Sequence, residues 1–380
     1  MIEYRFAQPG DMESIIDLIN MVFSMLRVPH DFAQMLPKVY SEAHSQPQIH
    51  AVAVEDGRVL GCLALLEYPI TVAGRTLRMG YLGSMAVHPK LRGQGVMKVL
   101  MQMQIDAGIA KGLDMMVLGG QRQRYQYYGF ETCGAEYAYS ISTPNVRHAL
   151  RDEDTQGLTF APMTAADVPQ AKALYDAQAV TGARTAENFL ACVSSYREKP
   201  YVIAVNGEAV GYMVVTEDGA AVTEILTKDD ALILPALKGF MQEKGLRGLR
   251  VEAAPHDVRL NGLLAPICEG YTIGANNMMR MLKPEAVIPA FMALKKTYAP
   301  LADGCLTAAL SDLGTYEIAV EHGEIRVART EREAQLALSQ NDMHRLLFGF
   351  NPFAVPAAAR HIAPEDWFPL PYCIPMPDSF

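Results

Sequence analysis

Two glycines interrupt the stretch AVHPKLRGQGVMKVL, which runs from Ala86 to Leu100. The run from Tyr81 to Val87 is mostly apolar and is followed by His88-Pro89, which predicts a buried strand. From Val96 onward, apolar residues recur at spacings of three and four, which predicts a helix with one buried face. The stretch therefore predicts a strand, a glycine-rich turn and a helix, in that order.

The turn, Arg92-Gly93-Gln94-Gly95, leads directly into the N-terminus of the predicted helix. Unpaired backbone N–H groups and the helix dipole make such a position favourable for a phosphate. The turn has neither the Gly-Lys-Ser/Thr of a P-loop nor the G-x-G-x-x-G of a dinucleotide-binding unit. The other interpretation is a plain strand-to-helix turn that needs glycine only for its backbone dihedral angles.

Length and composition limit the classes of function. A chain of 380 residues predicts two or three domains, and a net charge of -9 with a pI of about 5.5 argues against nucleic acid as a partner. The same charge suits a cationic small substrate. We expect a cytoplasmic protein without a membrane partner, because neither a signal peptide nor a membrane-spanning run is visible. Six scattered cysteines without a C-x-x-C pair predict neither a metal site nor a disulfide framework.

Three features of the first half recur, in the same order, further along the chain. Asp11 and Asp167 each precede a predicted helix, as caps. EDGRVLGCLALLE and VNGEAVGYMVVTE both predict hairpins around an Asp-Gly or Asn-Gly turn, and YYGFETCGAEYAYSI is echoed by CEGYTIGANNMMRML. These correspondences predict a duplicated α/β unit. The second copy lacks the glycine turn before its helix, expected to begin near Leu232, which favours a ligand role for the turn in the first copy.

The C-terminal part reads as α+β. PEAVIPAFMALKKTYA predicts a helix, GCLTAALSDLGTYEIAVEHGEIRVAR predicts strands, and EREAQLALS and NDMHRLLFGF predict two further helices. The final segment, DWFPLPYCIPMPDSF, contains the only tryptophan and four prolines. Prolines stiffen a chain into an extended path, so we expect this apolar tail to be buried.

The stretch from Ser84 to Phe130 resembles the GCN5-related N-acetyltransferase (GNAT) superfamily. The strand, His88-Pro89, the R-x-x-G turn, the helix and then MMVLGGQRQRYQYYGF follow the pattern of that family, although Met97 stands where its signature has Gly or Ala. By order of parts, the whole chain resembles the Eis-type (enhanced intracellular survival) aminoglycoside acetyltransferases. That resemblance implies an α/β (α+β) fold with tandem GNAT-like mixed sheets flanked by helices, over residues 1–150 and 151–285, and a sterol-carrier-protein-like domain over 286–380.

The resemblance also implies acetyl-CoA as the co-substrate, without a metal. The pantetheine amides would lie along the strand that ends at Val87, and the pyrophosphate would lie on the glycine turn. The residues implied to contact acetyl-CoA are Met85, Ala86, Val87, Arg92, Gly93, Gln94, Gly95, Val96, Met97, Lys98, Gly120 and Gln121.

Transfer to an amine needs a base for the ammonium proton and an acid for the departing thiolate. By position in the family pattern, Tyr125 is the acid; the alternative is a packed aromatic residue, which is how we interpret Tyr127 and Tyr128. In the Eis-type family the C-terminal carboxylate is the base, which implies this role for Phe380. The alternatives are Glu131 or Glu136, with a tail that docks only for packing or oligomerisation. His88 is interpreted as structural.

We therefore expect direct acetyl transfer to a primary amine of a cationic small molecule: an aminoglycoside-like compound, a polyamine or lysine. The alternative from another class is a non-catalytic acyl-CoA or lipid sensor. We also expect a homo-oligomer. Candidate pocket residues, by analogy with the first helices of such folds, are Phe23, Arg27, Asp31 and Phe32.

Overall fold

A computed structural model describes residues 1–25, 28–364 and 366–380, so Arg27 lies outside the described residues. The chain divides into two compact units. Unit 1 consists of Met1–Cys133, Asn277–Leu370 and Phe380, and unit 2 consists of Gly134–Asn276 and Pro371–Ser379. This grouping differs from the predicted boundaries after residues 150 and 285, for a reason that lies in the sheets described below.

The strands account for most of the regular structure near the candidate site. They are β1 (Glu3–Phe6), β2 (His50–Glu55), β3 (Arg58–Glu67), β4 (Ile70–Val72), β5 (Arg75–Leu77), β6 (Met79–Val87), β7 (Met115–Leu118), β8 (Glu131–Cys133), β9 (Glu136–Ser142), β10 (Leu158–Pro162), β11 (Val180–Thr181), β12 (Lys199–Val205), β13 (Glu208–Val215), β14 (Ala221–Thr227), β15 (Gly248–Ala253), β16 (Gly270–Gly274), β17 (Asn277–Met281), β18 (Gly304–Leu310), β19 (Thr315–Glu321), β20 (Glu324–Arg329) and β21 (Leu336–Leu338).

The helices vary from single turns to four turns. They are α1 (Met12–Ser24), α2 (Phe32–Met35), α3 (Pro37–Tyr40), α4 (Val96–Ala110), α5 (Arg122–Tyr125), α6 (Thr143–His148), α7 (Val168–Asp176), α8 (Phe189–Val193), α9 (Ile233–Glu243), α10 (Val258–Leu264), α11 (Pro284–Lys296) and α12 (Gln340–Phe348). The predicted helix after the glycine turn is α4, and the one expected near Leu232 is α9.

The main sheet of unit 1 has the order β1-β2-β3-β6-β7-β17-β8. The strands β6 and β7 are parallel and are joined through α4, which packs against β2, β3 and β6. On α4, Leu100, Met101 and Ile105 are buried in the core, as expected for its apolar positions. The fold therefore places the N-terminus of α4 at the end of β6.

The main sheet of unit 2 has the order β10-β12-β13-β14-β15-β9-β16, and its strands β14 and β15 are likewise parallel. Both sheets thus have a central parallel pair. The sixth strand of the sheet in unit 1 is β17, which follows residues 134–276 of unit 2 in the sequence. The sixth strand of the sheet in unit 2 is β9, which precedes most of unit 2 in the sequence. These two strands move the unit boundaries to residues 133/134 and 276/277.

The repeated turns and caps have equivalent geometry in the two units. Asp56-Gly57 and Asn206-Gly207 both have positive φ and close the hairpins β2-β3 and β12-β13, as predicted. Asp11 accepts a hydrogen bond from the backbone N–H of Gln8 (2.7 Å), and Asp167 accepts one from Thr164 N (2.8 Å). Each aspartate therefore closes the short turn before the helix; the prediction that its side chain caps the helix itself is wrong, because the carboxylate is turned back to the residue three positions earlier.

A second sheet of unit 1, with the order β20-β19-β18-β21, packs against α11 through β20. The helix predicted for NDMHRLLFGF is α12, but the one predicted for EREAQLALS is wrong, because Leu336–Leu338 forms β21 and pairs in parallel with β18. In β21 the two leucines are buried and the intervening Ala337 is exposed. Burial on one face of a strand outweighs the helical propensity of this segment.

The C-terminal tail is buried, as expected from its composition. In unit 1, the Trp367 indole Nε1 donates to Ala302 O (2.8 Å) and Leu370 N donates to Leu347 O (2.6 Å). Among the residues that the structure describes, no helix is both long enough and apolar enough to cross a membrane.

Candidate active site

The strands β6 and β7 separate at a defined point. Their ladder runs from the pair Met79–Met115 to the pair Leu82–Leu118, after which β6 continues to Val87 and β7 gives way to Gly119-Gly120. On its other edge β6 stays paired with β3, with an irregularity around Ser84, whose φ is +55°. Met85, Ala86 and Val87, which were expected to contact acetyl-CoA, lie on this separated part of β6.

The glycine turn forms an open cradle before α4. Gly93 and Gly95 have φ of +78° and +79°, and a Cβ built on either meets no atom within 4 Å. The N–H groups of the first turn of α4, at Val96, Met97 and Lys98, have no intrahelical acceptor, as at the start of any helix. The N-cap residue is Gly95, which has no side chain that could accept their hydrogen bonds. The exposed side chains of Arg92 and Lys98 add positive charge. This arrangement fits a pyrophosphate.

The surroundings of two further predicted acetyl-CoA contacts, Val96 and Gln94, limit what each can offer a ligand. Val96 is buried in the core of unit 1, so only its backbone can face a ligand. Gln94 is exposed, and its Nε2 donates to Lys90 O (2.9 Å), which stabilises the turn.

Tyr125 is the last residue of α5, whose N-cap is Gln121. Its ring packs against Gly120, where a Cβ would lie 2.9 Å from Tyr125 Cε2, and Gly120 has φ of +135°. Burial raises the pKa of the Tyr125 hydroxyl above its usual value, so the hydroxyl stays protonated at neutral pH. A protonated phenol is the form that an acid needs.

The two neighbouring tyrosines behave differently from each other. Tyr128 is half-buried and packs against the core of unit 1, as expected. Tyr127 is 82% exposed, so the prediction that it packs is wrong. Tyr127 is the middle residue of the 3-10 turn Gln126–Tyr128 that follows α5, and its side chain points to solvent.

Phe380 packs against β6 at the point where β6 and β7 separate. Its ring is 8% exposed and packs against Gly83, directly after the last pair of the β6-β7 ladder. The ring centroids of Tyr40 and Tyr81 lie 6.2 Å and 6.1 Å from that of Phe380. The chain terminus is therefore brought to the opening between β6 and β7.

A residue pair that the sequence analysis missed links this position to the Tyr125 segment. The Tyr81 hydroxyl donates to Asn277 Oδ1 (2.9 Å), and the same Oδ1 lies 3.6 Å from the position of a Cβ on Gly119. Gly119 precedes the glycine that Tyr125 packs against. Asn277 belongs to β17, so only the strand order, and no local motif, could have identified it.

A row of aromatic side chains leads away from Phe380. Ring centroids are 4.9 Å apart for Phe23 and Phe32 and 5.7 Å apart for Phe32 and Tyr40. Two of the candidate pocket residues are thus connected to the chain terminus through Tyr40. The third described candidate, Asp31, caps α2 by accepting from Gln34 N (3.3 Å).

Tyr40 also takes part in a buried polar group that the sequence analysis did not identify. Its hydroxyl donates to Ser84 Oγ (2.6 Å) and lies 3.2 Å from His50 Nε2. Burial lowers the pKa of His50 to about 4, so this histidine is neutral at pH 7. The group supports β6 next to Phe380.

Glu131, an alternative base, is fully engaged with cations. Arg122 Nε and Nη2 donate to its two oxygens (2.5 and 2.7 Å), and Arg345 Nη2 donates to Oε2 (2.5 Å). Burial by itself would raise the pKa of Glu131, but Arg122, the Thr132 N–H and Arg345 together lower it. A carboxylate stabilised in this way is a weak proton acceptor.

Glu136, the other alternative, lies on β9 in unit 2. Burial and the charge of Glu252 raise the pKa of Glu136 to about 7, and Asn276 Nδ2 donates to its Oε2 (3.2 Å). Its proton affinity suits a base; Glu136 is part of unit 2.

His88 has the structural role that was expected of it. Its Nδ1 accepts from Lys90 N (3.2 Å) and caps the short turn before Arg92. In the described part of the chain, no cluster of His, Cys, Asp and Glu side chains could hold a metal ion.

Part of the chain is similar to a known protein family. Residues 3–133 match the acetyltransferase (GNAT) domain family. A search of curated proteins found no match. Residues 3–133, about a third of the chain, are therefore similar to a GNAT acetyltransferase domain.

Solved structures share the fold over nearly the whole chain. A GCN5-related N-acetyltransferase from Anabaena variabilis is 17% identical, with a TM-score of 0.70 over 99% of this chain and 100% of that one. Eis1 from Mycobacterium abscessus is 15% identical, with a TM-score of 0.68 over 100% of both chains. A GCN5-related N-acetyltransferase from Kribbella flavida is 15% identical, with a TM-score of 0.68 over 90% of this chain and 88% of that one. At these identities the likeness is one of fold.

Proposed function

We propose that the chain transfers the acetyl group of acetyl-CoA directly to a primary amine of a cationic small molecule, with Phe380 and Tyr125 as the catalytic residues. The observation that carries the proposal is the packing of the Phe380 ring on Gly83, where β6 and β7 separate. A chain terminus is usually polar and frayed, whereas Phe380 is buried beside β6, the strand that precedes the glycine turn.

Acetyl-CoA supplies the thioester carbonyl that the amine attacks. The backbone of Met85, Ala86 and Val87 holds the pantetheine amides by adding hydrogen bonds along the separated edge of β6. The glycine turn and the first N–H groups of α4 hold the pyrophosphate. The turn residues are Arg92, Gly93, Gln94 and Gly95, and the N–H groups belong to Val96, Met97 and Lys98. Gly120 and Gln121 flank the reacting end of acetyl-CoA.

The Phe380 carboxylate accepts the proton that the substrate ammonium must lose before its nitrogen can attack. The apolar and aromatic surroundings of the Phe380 ring reduce solvation near this end of the chain. Desolvation favours the protonated carboxyl and so makes the carboxylate a better base.

The Tyr125 hydroxyl donates its proton at the sulfur as the C–S bond breaks and the C–N bond forms. Its raised pKa keeps the proton on the phenol until it is needed. Water exchange then removes the proton from Phe380 and restores the one on Tyr125, so the products are the N-acetylated amine and the free thiol.

The acceptor binds at Phe23, the half-buried member of the row formed by Phe23, Phe32 and Tyr40, which leads to Phe380. Aromatic faces attract ammonium groups, and the net charge of -9 attracts a cation over a longer range. Aminoglycoside-like compounds, polyamines and lysine all satisfy these requirements.

The chain is of the Eis type in this proposal. Its two seven-stranded sheets are tandem GNAT-like folds, of which the second lacks the glycine turn, and the sheet β20-β19-β18-β21 with α11 is the sterol-carrier-protein-like part. Support comes from the equivalent parallel pairs β6-β7 and β14-β15 and from the fold shared with Eis1 of Mycobacterium abscessus.

A panel assay tests the proposal. The protein is incubated with acetyl-CoA and an aminoglycoside, a polyamine, a lysine peptide or the matching hydroxyl compound, and free thiol is followed with time. We expect thiol release with at least one amine, mass spectrometry showing one added acetyl group, and no release with the hydroxyl control. If the protein binds acetyl-CoA but free thiol is released with none of the amines, the result would support the sensor alternative instead.

A further inference from the structure

The segment that carries Tyr125 has little regular structure of its own to hold it in place. The helix α5 is a single turn, Arg122–Tyr125, and glycines with positive φ lie on either side of it, Gly120 (+135°) and Gly129 (+77°). A single helical turn is unstable in isolation, and glycine leaves the backbone free to rotate. The position of Tyr125 therefore depends on the contacts that neighbouring side chains make with this segment.

Arg122, the first residue of α5, is held by a buried carboxylate. Its Nε and Nη2 donate to the two oxygens of Glu131 (2.5 and 2.7 Å), and the Glu131 side chain is only 2% exposed. Two parallel hydrogen bonds to one carboxylate fix the orientation of a guanidinium. Arg122 and Tyr125 are the two ends of one helical turn, so a contact that fixes Arg122 also restrains Tyr125.

Glu131 is itself fixed in the main sheet of unit 1. It belongs to β8, where it pairs with Met279 of β17, and its Oε1 also accepts from the Thr132 N–H (2.9 Å). From α12, Arg345 Nε and Nη2 donate to Oε2 of the same carboxylate (2.9 and 2.5 Å). Glu131 is therefore a rigid anchor for Arg122.

The other end of the segment is held through its backbone. Asn341 of α12 donates from Nδ2 to the carbonyl oxygen of Gln126 (3.1 Å), the residue after Tyr125, and Arg280 of β17 donates from Nη1 to Tyr128 O. All of these residues belong to unit 1. Tyr125 thus lies between two sets of anchors, of which the Glu131 contact is the one that reaches α5 itself.

The Glu131 carboxylate would remain paired if Arg122 were removed. The Arg122 side chain is 40% exposed, whereas Arg345 contacts the same carboxylate from the other side. Loss of one partner is most destabilising where it leaves a buried charge uncompensated, and Arg345 prevents that here. Replacement of Arg122 is therefore expected to release α5 without unfolding unit 1.

We propose that Arg122 is a positioning residue for acetyl transfer: its contact with Glu131 fixes α5 and thereby the hydroxyl of Tyr125. This inference rests on the proposed function, in which Tyr125 is the acid. A general acid works only within hydrogen-bond reach of its target, and a misplacement of about 1 Å can cost about 10²-fold in rate. Arg122 acts through Tyr125 and not on the reacting atoms.

The test compares Arg122→Met with a matched control, Arg326→Met, in the full chain. Arg326 Nη2 donates to Oε1 of Glu317 (2.5 Å), a carboxylate of unit 1 that is 6% exposed and that also accepts from Arg332. Both variants therefore remove one of two arginines from a buried carboxylate, but only Arg122 lies in the segment of Tyr125. If Arg122 served stability alone, the two variants would act alike.

The hold on the segment is read from trypsin cleavage after Arg124, an exposed residue within α5. Cleavage of a native protein requires local opening of the chain. We expect cleavage after Arg124, mapped by peptide mass spectrometry, to become at least about tenfold faster in Arg122→Met and to stay unchanged in Arg326→Met.

Turnover is measured with the amine found in the panel assay. We expect kcat to fall at least about tenfold in Arg122→Met, with an unchanged dissociation constant for CoA, and to stay normal in Arg326→Met. The double variant Arg122→Met/Tyr125→Phe should have the kcat of Tyr125→Phe alone, because the position of an absent hydroxyl has no effect. Such non-additivity is not expected of a residue that only stabilises the fold.

Three results would overturn the inference: unchanged cleavage or normal turnover in Arg122→Met, the same changes in Arg326→Met, or a further loss of kcat when Arg122→Met is added to Tyr125→Phe. Faster cleavage in Arg122→Met with normal turnover in Tyr125→Phe would instead overturn Tyr125 as the acid. Failure of the anchor and failure of the proposed function are therefore distinguished.

Discussion

The ring of Phe380 lies so close to Gly83 that a Cβ on this glycine would fall 2.9 Å from the ring atoms Cδ1 and Cε1. Contacts this short between a Cβ and a ring do not persist, so any larger residue at position 83 must displace the chain terminus. This contact connects the end of the chain to the strand that acetyl-CoA is proposed to bind.

Gly83→Ala should therefore lower turnover at least about tenfold, because the displaced ring carries the proposed base with it. The measurement is kcat with saturating acetyl-CoA. Gly10→Ala is the control, since a Cβ at Gly10 meets nothing within 4 Å. Normal turnover in a folded Gly83→Ala protein would show that the placement of Phe380 does not matter for catalysis.

Gly95→Val should weaken CoA binding more than about tenfold, because a side chain strains the positive φ and blocks the approach of a phosphate to the backbone. Calorimetry gives the dissociation constant. Gly207→Val is matched in strain, with φ of +85°, but lies in a hairpin of unit 2. An equal affinity in wild type and Gly95→Val would remove the cradle from the proposal.

Tyr125→Phe should retain CoA binding and lose about 10²-fold in kcat, the size expected for a missing general acid. Tyr127→Phe is the matched control, because that side chain lies two residues further along the chain and is 82% exposed. If the two variants turn over at the same rate, Tyr125 is a packing residue.

An extension of a few residues after Phe380 moves the terminal carboxylate away, and amidation removes its charge. Both changes should depress turnover and abolish the acidic limb of the pH-rate profile. Amidation is the cleaner of the two, because it keeps the aromatic contacts of Phe380. An amidated protein with the wild-type profile would exclude the carboxylate; Glu136 would be the remaining carboxylate with a suitable pKa, because two arginines hold the pKa of Glu131 below its usual value.

Glu198 of unit 2 is only 5% exposed, and burial raises its pKa to about 7, assisted by the charges of Glu224 and Glu252. Because the folded state then binds this proton more tightly than the unfolded state, Glu198 disfavours folding progressively as the pH rises from about 4.5 to about 7. Glu198→Gln should match the wild type near pH 4.5 and exceed it above pH 7 by up to about 3 kcal/mol.

Thermal unfolding of both proteins at several pH values measures the difference. Glu208→Gln, at an exposed position on β13, serves as the control. A gap for Glu198→Gln that is the same at every pH would contradict the titration of this carboxyl.

Local patterns in the sequence predicted local structure well. The glycine turn, the start of α9 and the Asp-Gly and Asn-Gly hairpins depend on backbone dihedral angles and on apolar spacing within a few residues, and all of them are confirmed. The segment EREAQLALS was misassigned because its pairing with β18 is a long-range interaction.

The candidate site divides in the same way. The turn at Arg92 and the tyrosine at 125 stand in recognisable motifs, whereas Asn277 meets Tyr81 only through the sheet order. That pair leaves no local signal in the sequence, because 196 positions separate its members.

The position of β17, a late strand of the sequence, in the sheet of unit 1 also has a consequence for biosynthesis. β7 is fully buried, and one of its two neighbours is β17, which is synthesised about 160 residues later. At a translation rate of about 5–20 residues per second, the apolar edge of β7 waits on the order of ten seconds for its partner. Until then, the edge of β7 presents unpaired backbone groups with which another strand could pair, and a fragment that stops at residue 133 exposes the same edge permanently.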